Sequence, residues 1–197
     1  MLEKARIEPL PQYEKLSDKL PLQQTVQLLK RWRDIAFKDK EDFALPSIVL
    51  TTLAGNNYSK ALLVVEALTE VLDGIIREMD AKTGPIVVLN PSNPKENLSE
   101  KWGEDDTGYY LFVKLLKELK QQWNDLLKAR GIADISSRLE KLFGEKAIKI
   151  AIKEYAEVFG AMREEGKLGM DKQTGILSGL GASTMVVKKS TFYGKDI

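Results

Sequence analysis

The chain has 197 residues, of which 43% are hydrophobic and 30% are charged, and it contains neither cysteine nor histidine. This composition suits one compact domain with a proper core. It excludes disulfides, zinc clusters built from Cys or His, thiolate nucleophiles and imidazole bases. The formal net charge of +1, from 30 basic and 29 acidic side chains, argues against a protein-wide attraction to nucleic acid.

The first 21 residues contain Pro9, Pro11 and Pro21 among mixed charges, a pattern typical of an extended connector or arm. No apolar run approaches the roughly 20 residues of a membrane span, and the N-terminus lacks the apolar core of a signal peptide. We therefore expect a cytoplasmic protein with no membrane partner.

Residues 22–58 predict two helices joined by a connector. Apolar residues recur at helical spacing along one face of the first helix, which predicts a core-facing side: Leu22, Val26, Leu28, Leu29, Trp32, Ile35 and Ala36. Arg33 interrupts this face, so its guanidinium is expected to be paired inside the core. The second helix is predicted to begin at Pro46 or Ser47, because proline suits the first turn and serine suits the cap.

The start of the second helix is a candidate anion site. Its free amides, its positive dipole end and the Ser47 hydroxyl could hold a phosphate if Lys30 approached from the neighbouring helix. A serine at this position is more often only a cap, and an exposed lysine is more often only a solvated charge. The residues alone leave both interpretations open.

Four further helices and one strand follow along the chain. A strand or hairpin is predicted at Ile86–Leu89, and Trp102 is expected to anchor the polar loop after it. The predicted helices run from Ser59, as a cap, to Met79, from Tyr109 to Arg130, from Ser137 to Phe143, with Ser137 and Glu140 as a capping box, and from Glu145 to Arg163.

The predicted fold class is mainly α: a helical bundle with one short β-strand or hairpin. We divide the chain into a connector or arm (1–21), a helical lobe (22–164) and an irregular C-terminal tail (165–197), whose residues 191–194 could dock on the body. Glu104, Asp105 and Asp106 precede a helix. Carboxylates at this position more often interact favourably with the helix dipole than bind a metal, so no metal site is expected.

Four segments, in this order, resemble the C-terminal helical half of bacterial nucleotidyltransferases: LQQTVQLLKRWRDIAF, LPSIVLTTLAG, VVLNPSNPKENLSEKW and TFYG. These enzymes, the CD-NTases, are similar to cyclic GMP-AMP synthase and 2′-5′-oligoadenylate synthetase and act in antiphage signalling. The resemblance implies synthesis of cyclic or linear oligonucleotides from ATP or GTP with Mg²⁺. It also implies that Lys30 and Ser47 hold the donor triphosphate, with Ile48, Thr51 and residues 90–102 nearby.

The sequence departs from the family pattern in one respect. Family members carry a catalytic sheet with a Gly-Ser turn and acidic residues that bind two Mg²⁺ ions, and no Gly-Ser followed by an Asp-x-Asp pair occurs here. The resemblance therefore implies a fragment that contains no catalytic residue. Such a fragment would be inactive alone. It would use Mg²⁺ with bound nucleotide only together with its catalytic half.

Two other interpretations remain open. The chain could be a non-catalytic helical interaction module in which Lys30 is an ordinary surface charge. Nucleic-acid binding through basic residues 30–40 is disfavoured by the acidic residues between them. An apolar surface left exposed where a catalytic sheet would pack predicts self-association.

Overall fold

The computed structural model describes residues 19–103, 106–171, 177–180 and 184–187. It divides the chain between Ala129 and Arg130 into two compact units, each described below by itself. Three predictions concern residues outside the described part of the chain: most of the N-terminal arm, the Glu104–Asp105 pair and the docking of residues 191–194.

The first unit is built from four helices, which confirms the mainly helical fold class. α1 packs against both α2 and α3, and α3 packs against α4. The helices are α1 (Pro21–Ala36), α2 (Ser47–Asn56), α3 (Val64–Asp80) and α4 (Asp106–Lys128). Of the described helices, none combines the length and the apolar character needed to cross a membrane.

Much of the core of this unit lies between α3 and α4. Both helices carry apolar residues at helical spacing, and each buried Leu or Ile contributes roughly 1.5–3 kcal/mol. The fully buried side chains include Leu68, Leu72 and Ile75 of α3 and Phe112, Leu116 and Leu119 of α4.

An aromatic cluster fixes α1 and the loop before α4 to this core. The Trp102 ring stacks on Phe112 at a centroid distance of 5.7 Å and meets Tyr109 edge-on at 5.1 Å. Trp32 of α1 lies 6.4 Å from the same Phe112 ring. Trp102 is 6% exposed, so the prediction that it anchors its loop is confirmed.

The predicted strand or hairpin is present but shifted. β1 (Leu89–Asn90) pairs antiparallel with β2 (Asn93–Asn97), so the strand begins at the end of the predicted Ile86–Leu89 segment. For the residues before β1, the Ser99 side chain adds hydrogen bonds to the backbone bond that the Leu98 amide donates to the Val88 carbonyl at 2.8 Å. The Ser99 hydroxyl donates to the Ile86 carbonyl at 3.2 Å and accepts from the Val88 amide at 2.9 Å.

The second unit begins with α5 (Ile132–Phe143), which packs against α6 (Glu145–Glu164). The predicted capping box at Ser137 and Glu140 is wrong, because α5 begins five residues earlier and Ser137 lies inside it. The residue before α5 is Gly131 at φ 79°, a left-handed conformation that favours glycine.

Three short strands follow: β3 (Leu168–Asp171), β4 (Leu177–Gly179) and β5 (Thr184–Val186). They form an antiparallel sheet in the order β4-β3-β5, so the described part of the tail is not irregular as predicted. Gly169 shows why the sequence did not reveal these strands. A Cβ at this position would lie 2.8 Å from Thr184, so the close packing of the two strands requires glycine. Because glycine has no side chain, it adds nothing to the alternation of apolar and polar residues that predicts a strand.

Candidate functional site

The connector between α1 and α2 sets the position of the candidate site. Phe37 and Leu45, at 1% and 3% exposure, bury its two ends. Pro46, at φ −56° and ψ 140°, then precedes the helix, and Ser47 is the first residue of α2. The predicted helix start is confirmed, but Ser47 is not its cap and no side-chain capping bond is present.

A groove of about 330 Å³ runs along α1 and reaches α2; we call it the Lys30 groove. Two apolar residues of α1, Leu22 and Val26, contribute to its wall, which explains why these predicted core residues are only half-buried. The polar lining consists of Lys19, Gln23, Gln27, Lys30 and Thr51.

The Lys30 groove carries the positive charge of Lys30, which no carboxylate of the described residues pairs with. None of its described lining residues is acidic, and its second lysine, Lys19, has an interaction of its own. Lys30 is half-buried, and none of the ion pairs within the described residues involves it. A partly desolvated cation with no partner attracts anionic ligands, so this groove suits a phosphate.

Thr51 is the α2 residue that shares this groove with Lys30. It lies one turn after Ser47, and its hydroxyl donates to the Ser47 carbonyl at 2.9 Å. Ser47 is half-buried at the helix start but is not among the groove-lining residues, and the Ile48 side chain is 50% exposed. The structure therefore places Lys30 and Thr51 in one groove, with Ser47 and Ile48 at the adjacent first turn of α2.

Two glutamines in the groove were missed by sequence reasoning. Gln23, Gln27 and Lys30 follow each other at spacings of four and three residues, which places them on one face of a helix. That spacing was available from the sequence. The Gln23 carboxamide oxygen accepts from the Leu20 amide at 2.7 Å, so its NH₂ group remains for the groove.

A second groove, of about 430 Å³, lies around Arg33 and reaches Leu45 and Pro46. The Arg33 guanidinium donates to Asp34 at 3.0 and 2.5 Å and to the Leu45 carbonyl at 3.3 Å. The predicted pairing of Arg33 is thus present, but at this groove rather than inside the core, because Asp34 is 53% exposed. The cation here is already compensated.

Tyr109 is the buried group with a shifted pKa in the described part of the first unit. Burial raises the pKa of its phenol, and a backbone hydrogen bond with Ile86 opposes the shift. The residue belongs to the aromatic cluster and lines neither groove. We therefore assign it a structural role.

No family model matches the chain. It is 32% identical over 188 residues to the c-di-GMP synthase of Roseivirga ehrenbergii, covering 92% of this chain and 48% of that protein. It is 25% identical over 179 residues to the cyclic dinucleotide synthase CdnG of Bradyrhizobium diazoefficiens, covering 87% of this chain and 42% of that one. Its homologues are bacterial CD-NTases, and the chain matches one half of them.

The match to these CD-NTases has a definite extent. The chain spans about half the length of the curated relatives it matches, which is consistent with the C-terminal half indicated by its motifs. The solved CD-NTase CdnG of B. diazoefficiens, in complex with GTP, superposes with a TM-score of 0.59. That match has 24% identity over 69% of this chain and 40% of the other, and it shows a shared fold.

Proposed function

We propose that this chain is the nucleotide-binding lobe of a nucleotidyltransferase that makes cyclic or linear oligonucleotide second messengers. One observation carries the proposal: Lys30 lies half-buried, takes part in no ion pair of the described residues, and lines a groove whose described lining has no carboxylate. Such a cation suits the phosphates of a nucleoside triphosphate. Ser47, at the first turn of the adjacent helix, is retained as a second phosphate ligand through its hydroxyl and the free amides there.

Guanine nucleotides are the first substrates to consider. The two relatives are named for c-di-GMP and cyclic dinucleotide synthesis, and the solved neighbour is a complex with GTP. ATP remains a second candidate, because phosphate recognition by a lysine does not depend on the base. The proposed role is in the cytoplasm, in antiphage signalling.

Mg²⁺ would enter with the nucleotide rather than bind this lobe by itself. Mg²⁺ prefers carboxylate, phosphate and water oxygens, and the Lys30 groove has no carboxylate among its lining residues. The residues of the groove therefore do not fit a protein-held Mg²⁺. We propose that the acidic ligands and the chemistry belong to a catalytic half, and that this chain alone forms no product from nucleoside triphosphates.

The test is an equilibrium binding measurement with Mg²⁺-GTP, Mg²⁺-ATP and guanosine. A charge-assisted hydrogen bond contributes about 1.5–3 kcal/mol, so Lys30→Ala should weaken triphosphate binding at least about tenfold. Guanosine binding should change little. Lys82→Ala, which removes an exposed lysine just after α3, serves as the matched control. Equal triphosphate affinity in all three proteins would contradict the proposal.

The alternative function, a helical interaction module, is supported by a different surface. Leu62 and Leu63, just before α3, are 88% and 60% exposed, and Val65 is 43% exposed. Exposed neighbouring leucines are typical of contact surfaces. This alternative predicts self-association that Leu62→Ser with Leu63→Ser abolishes in light scattering, and no response to nucleotide. A molar mass that stays at the monomer value at every protein concentration would contradict the self-association.

A further inference from the structure

The Gln23 side chain is held at the start of α1. Its carboxamide oxygen accepts a hydrogen bond from the Leu20 backbone amide at 2.7 Å, as in a capping box. A backbone N–H can only donate, so the end of the carboxamide that meets Leu20 is its oxygen. Gln23 is exposed and lines the Lys30 groove, and the group that it still has to offer there is an NH₂ with two protons.

Gln27 lines the same groove one turn further along α1 but is not held in this way. Among the described residues, its carboxamide makes no hydrogen bond. It can therefore turn either its oxygen or its NH₂ group toward a ligand. Gln27 accommodates donors and acceptors alike, whereas Gln23 is restricted to acceptors.

The two purine bases differ in what they present to such a restricted group. Guanine carries two neighbouring acceptors, O6 and N7, whereas adenine carries the N7 acceptor beside an N6 donor. An unrestrained glutamine binds this edge of adenine with both ends of its carboxamide. That pairing is lost when the oxygen is held on the backbone, and the remaining NH₂ group fits guanine O6.

We propose that Gln23 is a specificity-determining residue, which selects guanine over adenine by donating a hydrogen bond to guanine O6. Gln23 and Lys30 are seven residues apart, which is roughly 10 Å along α1. This separation is comparable with the distance between the base and the phosphates of one nucleotide. The inference rests on the proposed function, in which Lys30 binds the phosphates, and adds the base selection that a lysine does not supply.

The test compares the equilibrium affinities of Mg²⁺-GTP, Mg²⁺-ITP and Mg²⁺-ATP. The wild-type chain should bind GTP and ITP, whose bases both carry O6 and N7, at least about fivefold more tightly than ATP. Gln23→Glu keeps an oxygen for the Leu20 amide but has no NH₂ group, so the preference should vanish or invert. The readout is the ratio of affinities, because the added negative charge weakens all three triphosphates alike.

Gln24→Glu is the matched control. It adds the same charge at the next residue of α1, which is not among the groove-lining residues, and should keep the wild-type preference. Equal affinity for GTP and ATP in the wild type, or a preference that Gln23→Glu leaves unchanged, would overturn the proposal. If Gln23→Glu fails to fold, Gln23→Met also removes the donor and should lose the preference.

Guanosine and adenosine separate this inference from the proposed function, because they lack the phosphates that Lys30 would bind. If Lys30→Ala leaves triphosphate binding unchanged while Gln23→Glu still shifts the ratio of nucleoside affinities, the phosphate site is wrong and the base selection stands. If Lys30→Ala weakens triphosphate binding but Gln23→Glu shifts neither ratio, the phosphate site stands and the base selection is wrong. Binding of no nucleotide or nucleoside would contradict both.

Discussion

Lys30 and Arg33 lie three residues apart on α1, and each lines a groove. The Lys30 groove reaches α2 itself, whereas the Arg33 groove reaches the segment that leads into α2. Both side chains are half-buried. Arg33 is held by the neighbouring carboxylate of Asp34 and by the Leu45 carbonyl, whereas Lys30 takes part in no ion pair of the described residues. The comparison teaches that compensation, rather than burial, separates a structural cation from a candidate ligand site.

The difference follows from what surrounds each residue. Arg33 is adjacent to Asp34 in sequence, and the connector brings the Leu45 carbonyl to its guanidinium. Lys30 is flanked instead by glutamines and a threonine, which are neutral. The Arg33 groove therefore stabilises the entry to α2, whereas the Lys30 groove keeps a lysine that no ion pair of the described residues compensates.

The largest expected effect removes the support that both grooves share. Phe112 is fully buried and contacts Trp32 of α1, so Phe112→Ala should lower the free energy of unfolding by about 3–5 kcal/mol. Urea denaturation measures this change. Tyr110→Ala, at a side chain 53% exposed, is the control and should cost far less. A loss below about 1 kcal/mol for Phe112→Ala would show that α1 is held in another way.

The next prediction contrasts the roles of the two cations by replacing each with methionine. Lys30→Met should reduce Mg²⁺-GTP affinity at least about tenfold and change the free energy of unfolding by less than about 0.5 kcal/mol. Arg33→Met should leave GTP affinity unchanged and cost about 1 kcal/mol of stability, since its partner Asp34 is half-exposed and the pair is screened. The comparison breaks if both substitutions affect binding alike.

A smaller effect is expected at Thr25, which faces the core from α1. It is fully buried, and its hydroxyl has no hydrogen-bond partner within the described structure. Thr25→Val removes the unpaired group at nearly constant shape, so thermal or urea unfolding should show a gain of about 1 kcal/mol. A loss of stability would indicate that the Thr25 hydroxyl has a partner, such as a buried water.

The smallest expected effect comes from giving the Arg33 groove the uncompensated charge of the Lys30 groove. Asp34→Asn with Glu41→Gln removes both carboxylates that line the Arg33 groove, and loss of the half-exposed Arg33–Asp34 pair should cost less than about 1 kcal/mol. The Arg33 groove should then show weak binding of inorganic phosphate that the wild type lacks. If phosphate binding does not appear, compensation by these carboxylates is not what distinguishes the two grooves.

Much of the fold could be predicted because its helices bury one face. The apolar spacing that ends in Leu72, Ile75 and Met79 predicts α3 within a few residues, and α1, α2 and α4 were found in the same way. Boundaries were less predictable, because local signals compete. Ser47 and Ser137 both had capping patterns, but Pro46 precedes α2 directly and α5 continues back to Ile132.

The candidate site could be predicted only in part. The sequence singled out Lys30 and the start of α2, and that prediction remains open to the binding measurements. Whether Ser47 or Thr51 shares a groove with Lys30 depends on the rotational phase at which α1 meets α2. Sequence spacing within each helix does not contain this phase. The glutamines were predictable in principle, since their spacing places them beside Lys30 on α1.

The most direct test of the account is an NMR titration of the chain with Mg²⁺-GTP, with Lys30→Ala as the comparison. The account predicts chemical-shift changes at the amides around Lys30, Ser47 and Thr51, their loss in the variant, and little change around Arg33 and Leu45. Shifts centred on the Arg33 groove, or shifts around Lys30 that persist in Lys30→Ala, would contradict it.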